Sequence, residues 1–283
     1  MTFDWRSILT ALPDDAQVDT HTHTLWSDGT DTPAKLIQVA RSGGLAGVAI
    51  TDHDSIAGYR EAVRLFLPPG FLVLPGIELT AYNDGLEVHV LGYGFDVDDA
   101  DLNEYLVRFG EARVERAERI FGNLAVHGVA MSWEDFIAKY PNIPVGRLHI
   151  ARELVAAGHC TNLRAAFERW LGDGNEVLAP KFALSVGKAA SLLHSAGGKA
   201  ILAHPGALPP QVQITPLMTL GIDGLEARYP FHHPMQEREY QRYAAKRGLA
   251  VTGGSDYHGG NRRGVFPGAR ATTAAELRKL LEV

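Results

Sequence analysis

The sequence is poor in cysteine, in long apolar runs and in net positive charge. Cys160 is the only cysteine among 283 residues, so an internal disulfide is excluded and a reducing compartment is favoured. No apolar stretch approaches the roughly 20 residues that span a bilayer. The N-terminal segment has no basic start followed by an apolar run, which excludes a typical secretion signal. We therefore expect a cytoplasmic protein with no membrane partner and no obligate protein partner.

The formal net charge of −6 argues against a protein that coats long nucleic acids through bulk charge. A small anionic substrate remains compatible with this charge, because a local cluster of cations can override the global sign. Apolar residues make up 46% of the chain, enough to bury a substantial core. Histidine, by contrast, is frequent for a chain of this length, with 12 copies.

Short apolar runs alternate with helical segments in two parts of the chain, residues 1–100 and 175–283. Runs such as LAGVAI and KAILAHPG are typical of strands buried on both faces. Successive strands joined by helices favour a parallel sheet, here a closed barrel. Residues 101–174 show helical periodicity and no convincing strand. We interpret this segment as an all-helical insertion that forms a substrate lid over the barrel rim.

Histidine and carboxylate residues occur at or just beyond the predicted C-terminal ends of the strands. In a parallel barrel these ends share one rim, where the active sites of such barrels lie. A lone histidine at a strand end is more often structural, and an aspartate there is often a helix N-cap. Nine such residues confined to one rim favour a metal cluster instead: His21, His23, Asp28, His53, Glu78, His89, His204, Asp256 and His258.

The order of short motifs resembles that of the polymerase-and-histidinol-phosphatase (PHP) superfamily. The motifs are THTH with a following SDG, then TDHD, GIEL, EVHVLGYG, LAHPG and GGSDYHG, and they span residues 17–99 and 180–265. The helical segment VGRLHIARELV is similar to that of the nucleoside-3′,5′-bisphosphate phosphatases in this superfamily. The resemblance implies an α/β fold, a distorted (β/α)7 barrel with the inserted helical subdomain, and three divalent metals.

The resemblance also implies how the metals are held. One metal would take His21, His23, Glu78 and Asp256. A second would take Glu78, His89 and His204, and a third Asp28, His53 and His258. Mixed imidazole and carboxylate ligands suit Mn²⁺, Zn²⁺ or Fe²⁺ better than Mg²⁺, and the resemblance favours Mn²⁺. Three divalent cations against three carboxylates leave an excess of positive charge, which predicts in-line attack of a metal-bound hydroxide on a phosphate.

Several cationic side chains are candidates for contacts with the substrate. Arg147 and His149 lie at the start of a predicted helix, where free N–H groups favour an anion, and Arg147 could clamp a phosphate bidentately. Lys181 and Arg228 are expected to bind phosphate on the rim. Arg228 is also expected to be catalytic, together with Asp256 and His204. Each arginine or lysine could equally be a surface residue or a salt-bridge partner.

The motifs favour one activity over several alternatives. We expect removal of the 3′-phosphate from a nucleoside 3′,5′-bisphosphate, with 5′→3′ exonuclease action on short 5′-phosphorylated RNA as a related activity. A histidinol-phosphate-type monoesterase is the alternative that the GRLH segment disfavours. A non-catalytic PHP module is disfavoured because all nine candidate ligands are present. Metal-dependent amide hydrolysis is disfavoured by the order of TDH, GIE and the terminal D-x-H.

Overall fold

A computed structural model describes residues 3–141, 145–172, 174–180, 182, 184–262 and 264–283. The chain divides into two compact units. The first unit comprises Met1–Asn103 and Leu184–Val283, and the second comprises Glu104–Ala183.

The first unit is built on one eight-stranded sheet with the order β7-β6-β5-β4-β3-β2-β1-β8. Its strands are β1 (Gln17–Thr22), β2 (Gly47–Ile50), β3 (Leu72–Asn83), β4 (Leu86–Tyr93), β5 (Lys199–Leu202), β6 (Gly224–Arg228), β7 (Ala250–Gly253) and β8 (Thr272–Thr273). The segment after β7 returns to β1, because the Asp256 N–H donates to the His21 carbonyl and the His23 N–H to the Tyr257 carbonyl, each at 2.8 Å. The sheet is therefore a nearly closed barrel, which confirms the predicted fold class.

Two strands depart from the expected parallel arrangement: β8, which pairs antiparallel with β1, and β4. β4 runs antiparallel to both β3 and β5, since β3 and β4 form a hairpin. Asp84 and Gly85 turn the chain with φ values of 49° and 79°, and an Asp-Gly pair is a typical two-residue hairpin turn. As a consequence, His89 lies within β4 and Glu78 lies within β3. The expectation that both residues lie at or just beyond the C-terminal end of a strand was therefore wrong.

Helices surround the barrel strands in the first unit. They are α1 (Trp5–Ala11), α2 (Pro33–Ser42), α3 (Ala57–Ala62), α8 (Val186–Ser195), α9 (Ile214–Met218), α10 (Pro234–Arg247) and α11 (Ala274–Leu281). The start of α2 follows from its sequence: the Thr32 side chain accepts the Lys35 N–H, and Pro33 occupies the first position.

The central strands are buried on both faces by two apolar clusters. Val48 and Ile50 of β2 pack with residues of α2 and α3. Ala49, between them, packs in a second cluster that joins β1 to β5 with α1 and α11. Burial on both faces explains why LAGVAI is a continuous apolar run without alternation.

Gly47 lies where β2 passes between β1 and β3, paired with Val18 on one side and Leu72 on the other. A Cβ added to Gly47 would lie 2.5 Å from both the Cβ and the carbonyl oxygen of Leu72. We therefore expect Gly47→Ala to force the strands apart and to lower the free energy of unfolding by about 3 kcal/mol. Thermal denaturation should show a loss of roughly 6–12 °C in the melting temperature.

Gly187→Ala is the matched control for this substitution. Gly187 lies in α8, and an added Cβ would come no closer than 3.8 Å to the Leu220 carbonyl oxygen. Because alanine is a better helix former than glycine, this variant should melt at or above the wild-type temperature. A Gly47→Ala variant that melts at the wild-type temperature would contradict the close approach of β2 and β3.

All regular secondary structure in the described residues of the second unit is helical. It contains most of α4 (Ala100–Val126), then α5 (Trp133–Ala138), α6 (Arg147–Ala156), α7 (Leu163–Ala166) and a π-helical turn (Phe167–Leu171). These elements bury a core of their own, which includes Ile120, Leu124, Phe136, Ile150 and Leu154. The inserted segment is thus all-helical, as the sequence predicted. None of the helices in the described parts of the chain is long and apolar enough to cross a membrane.

Candidate metal centre

The structure brings together all nine side chains that the sequence analysis selected. Their nitrogen and oxygen atoms form four overlapping groups, and within each group these atoms lie within 4.8 Å of one another. The groups are His23, Asp28, His53 and His258; His21, His204 and Asp256; His21, His23 and Glu78; and His53, Glu78 and His89. Because Glu78, His21, His23 and His53 each appear twice, the groups form one continuous cluster.

Glu78 occupies the centre of the cluster, and its side chain is almost fully buried. Its Oε2 lies 3.2 Å from Nε2 of His21, 3.2 Å from Nε2 of His23 and 3.3 Å from Nδ1 of His53. Its Oε1 lies 2.9 Å from Nδ1 of His89 and 3.1 Å from Nε2 of His204. Burial alone would raise the pKa of Glu78, but the neighbouring imidazoles outweigh it and hold this pKa well below the ordinary value. The carboxylate is therefore ionised.

Two aspartates extend the cluster away from Glu78. Asp28 Oδ1 lies 3.1 Å from Nε2 of His258, and Asp28 Oδ2 lies 4.0 Å from Nε2 of His53. Asp256 Oδ1 lies 3.2 Å from Nε2 of His23. Burial opposes ionisation of both aspartates, but the surrounding histidines hold both pKa values well below the ordinary value. The cluster thus carries three ionised carboxylates.

Two members of the cluster have a backbone conformation that residues other than glycine rarely adopt. The φ angle is 25° at His204 and 53° at Asp256. Such conformations carry a strain of about 1–3 kcal/mol and persist only where the surroundings fix them. Here the His204 N–H donates to Glu226 at 2.9 Å, and the Asp256 N–H donates to the His21 carbonyl at 2.8 Å. The strain directs both side chains into the cluster.

The donor set fits divalent cations. The buried Nδ1 atoms of His53 and His204 make no hydrogen bond to any described residue, so these nitrogens are available to a cation. Burial opposes protonation of His23 and His89, yet the adjacent carboxylates raise their pKa values to about 9 and about 10. Protons therefore hold part of the site when no cation does, and bound cations would displace them. Mixed imidazole and carboxylate donors suit Mn²⁺, Zn²⁺ or Fe²⁺.

Three further residues lie beside the cluster, outside the nine candidate ligands. Glu226, fully buried on β6, contacts Nδ1 of His21 at 3.0 Å. Tyr229 donates its hydroxyl hydrogen to Asp256 Oδ2 at 3.0 Å. Arg262 forms an ion pair with the same oxygen through Nη1. The two oxygens of Asp256 thus have different partners: Oδ1 faces the histidines, and Oδ2 faces Tyr229 and Arg262. The only signal for Arg262 was its position shortly after the SDYHGG motif.

The prediction for Arg228 needs correction. Its Nη1 and Nη2 bind both carboxylate oxygens of Glu276 in α11, at 2.9 and 2.7 Å. Its Nε donates to the carbonyl of Ala271 at 2.9 Å. Every nitrogen of this guanidinium is therefore engaged, the two Nη atoms by α11 and Nε by the residue just before β8. The structure places Arg262, and not Arg228, against the cluster.

The other expected substrate contacts belong to the second unit. His149 is buried, and its Nδ1 accepts the Gly146 N–H at 3.0 Å, so this ring caps its own helix. That role accounts for Nδ1, and the predicted substrate contact of His149 stays a prediction. Arg147 donates from Nη1 to the carbonyl of Leu171 at 3.1 Å. Lys181 lies outside the described residues.

Comparisons with known proteins agree with this geometry. A family model described as "PHP domain" matches residues 19–132. A 3′,5′-nucleoside bisphosphate phosphatase from Chromobacterium violaceum is 29% identical, over 86% of this chain and 87% of the relative. A 5′-3′ exoribonuclease from Haemophilus influenzae is 30% identical, over 85% of this chain and 89% of the relative. The solved structure of a protein described as a metal-dependent phosphoesterase, from Bifidobacterium adolescentis, superposes with a TM-score of 0.84 at 31% identity, covering 95% and 96% of the two chains.

Proposed function

This chain belongs to the PHP family of phosphoric ester hydrolases, and from that premise we propose that it removes the 3′-phosphate from nucleoside 3′,5′-bisphosphates. The products are a nucleoside 5′-monophosphate and phosphate. The observation that carries the proposal is the convergence of six histidines and three carboxylates on one buried cluster. Similarity along most of the chain to a bisphosphate phosphatase supports the substrate class. A related 5′→3′ activity on short 5′-phosphorylated RNA is part of the same proposal.

We propose that the cluster holds three divalent cations, with Mn²⁺ as the working metal. When bound, such cations lower the pKa of water and neutralise the charge of a phosphate group. Glu78, in contact with five imidazoles, would be a shared ligand of the cations, while Asp28 and Asp256 would supply the remaining negative charge. Their three negative charges leave the loaded cluster positive, which favours an anionic substrate. A cytoplasmic location remains part of the proposal and is supported by the single cysteine, Cys160.

Arg262 is the side chain best placed to bind the phosphate that reacts. All hydrogen bonds that it makes to described residues come from Nη1, so Nε and Nη2 remain for a ligand. About a third of the side chain is exposed. A guanidinium edge with two N–H groups matches two oxygens of a phosphate. The exposed ring of Phe231 lies 5.8 Å from the Arg262 guanidinium and offers a surface on which a nucleobase can stack.

Replacing Arg262 by alanine should lower kcat/KM for adenosine 3′,5′-bisphosphate about 100-fold, the usual loss when one charged donor to the reacting group is removed. Arg262→Lys should restore only part of the activity, because an ammonium group cannot bind two oxygens in one plane. Steady-state kinetics at equal metal content, checked by elemental analysis, would measure both effects. If Arg228→Ala lost more activity than Arg262→Ala, the assignment of the contact to Arg262 would be wrong.

The substrate class is tested by direct comparison. Adenosine 3′,5′-bisphosphate should be hydrolysed at its 3′-phosphate in the presence of Mn²⁺. A 5′-phosphorylated oligoribonucleotide should be shortened from its 5′ end, and the same oligonucleotide with a 5′-hydroxyl should be a poorer substrate. Turnover of histidinol phosphate at a comparable kcat/KM would favour the monoesterase alternative. If the metal-loaded protein hydrolysed none of these esters, the alternative of a non-catalytic PHP module would be favoured.

The helical insertion keeps its proposed role as a substrate lid, with Arg147 as a contact to a second phosphate. The support is the resemblance of its VGRLHIARELV segment to that of the nucleoside-3′,5′-bisphosphate phosphatases. Lys181 remains a candidate for the same purpose on sequence grounds alone.

A further inference from the structure

One carboxylate outside the nine candidate ligands contacts two of them at once. Glu226 on β6 is fully buried. Its Oε1 lies 3.0 Å from Nδ1 of His21, which belongs to β1. Its Oε2 accepts the backbone N–H of His204, directly after β5, at 2.9 Å. A single side chain therefore joins ligands that come from two separate strands.

The contact with His21 determines which nitrogen of this imidazole faces the cluster. When Nδ1 carries the hydrogen that is donated to Glu226, the lone pair of the neutral ring is on Nε2. Nε2 is the atom that lies 3.2 Å from Glu78 and 3.4 Å from Asp256. Glu226 thereby fixes both the tautomer and the orientation of His21.

The contact with His204 acts through the backbone instead. His204 has a φ angle of 25°, and the hydrogen bond from its N–H to Glu226 holds this strained conformation. The loop is also fixed two residues later, where Nε2 of His232 accepts the Gly206 N–H at 3.0 Å while Nδ1 of the same ring donates to the Ala227 carbonyl at 2.9 Å. Glu226 and Ala227 are adjacent on β6. This strand therefore holds the loop that carries His204 at two points, the N–H of His204 and, through His232, the N–H of Gly206.

We propose that Glu226 is a positioning residue that holds His21 and His204 as one unit for binding the cations. The inference rests on the proposed metal-dependent function. Two donors meet this side chain, and a carboxylate accepts with both of its oxygens, whereas an amide accepts with only one. Glutamine at this position must therefore turn an NH₂ group toward either His21 or the His204 N–H. Aspartate is one methylene too short to reach both donors.

The first test compares cation affinity among Glu226→Gln, Glu226→Ala and wild type, by competition with a chromophoric chelator for Mn²⁺ and Zn²⁺. Both variants should bind the cations roughly 10–100-fold more weakly, which is the usual effect of removing a partner of a ligating histidine. Glu276→Gln is the matched control, since this carboxylate also accepts hydrogen bonds with both of its oxygens, from Arg228 and Thr273, and none of them comes from a candidate ligand. It should bind with wild-type affinity. Equal affinities in Glu226→Gln and wild type would overturn the proposal.

The second test needs no variant. In wild-type protein loaded with ¹¹³Cd²⁺ and labelled with ¹⁵N-histidine, the cation should couple to Nε2 of His21, and Nδ1 should bear a slowly exchanging proton. Coupling to Nδ1 would overturn the proposal even if the variants fail to fold. Neither test uses a phosphate ester, so a wrong substrate assignment leaves both results interpretable. A wild-type protein that binds no divalent cation would refute both the metal centre and the role of Glu226.

Discussion

Replacing Glu78 by glutamine should reduce hydrolysis of adenosine 3′,5′-bisphosphate by at least about a thousandfold, a loss of ~4 kcal/mol of transition-state stabilisation. Five imidazoles lie within 3.3 Å of the two oxygens of this carboxylate. Glutamine has nearly the same shape but no negative charge and only one acceptor oxygen. The buried imidazoles would then lack the anion that joins them, and the cations would lose the ligand that they share.

Elemental analysis and steady-state kinetics on the same preparation would measure this effect. We expect Glu78→Gln to lose bound metal as well as activity while it retains a cooperative melting transition. Glu276→Gln provides the comparison for loss of a carboxylate charge elsewhere in the first unit and should remain active. A Glu78→Gln enzyme with full metal content and near wild-type kcat/KM would show that the centre of the cluster is misassigned.

Removal of the bound metal by a chelator, followed by dialysis to remove the chelator, should abolish turnover and lower the melting temperature by at least about 5 °C. The second expectation follows from linkage: a cation present at 100 times its dissociation constant stabilises the folded state by ~2.7 kcal/mol, and one kcal/mol shifts the melting temperature of a chain of this size by about 2–4 °C. The cluster is the reason, because its nine donors are fully assembled only in the folded chain.

Adding Mn²⁺ back should restore both properties together. Asp256→Ala is the informative variant here, because it removes an oxygen that faces His21 and His23. Its melting temperature should therefore respond less to added Mn²⁺ than that of wild type. Undiminished activity in a preparation shown to contain less than one metal per ten chains would exclude a metal-dependent reaction.

The ligand positions could be predicted from sequence because each belongs to a short local motif. His21, His23 and His53 lie at or just after the ends of short strands, and in a nearly parallel barrel such ends meet. The same logic included Glu78 and His89 for an incorrect reason, since these two residues contact each other diagonally across a hairpin. The Asp84-Gly85 pair is the local sequence signal for that hairpin.

Residues whose roles depend on distant partners could not be predicted in this way. Glu226 acquires its role only when β1, β5 and β6 are adjacent, and its partner His21 is 205 positions away in the chain. Arg228 and Arg262 look alike in sequence, as arginines near the rim. They differ because Arg228 binds the carboxylate of Glu276, which lies 48 positions later in the chain. Long-range pairing of charges leaves no local pattern in a single sequence.

The backbone contacts between His21 and Asp256 close the barrel and also determine when the centre can exist. A growing polypeptide that has emerged from the ribosome as far as residue 100 carries six of the nine donors but still lacks His204, Asp256 and His258. Its imidazoles and carboxylates then belong to an open sheet whose first strand has not met its last. Cation capture at full affinity is therefore a late event in biogenesis, and a chain cut short before Asp256 should fail to retain its metals even if most of its helices form.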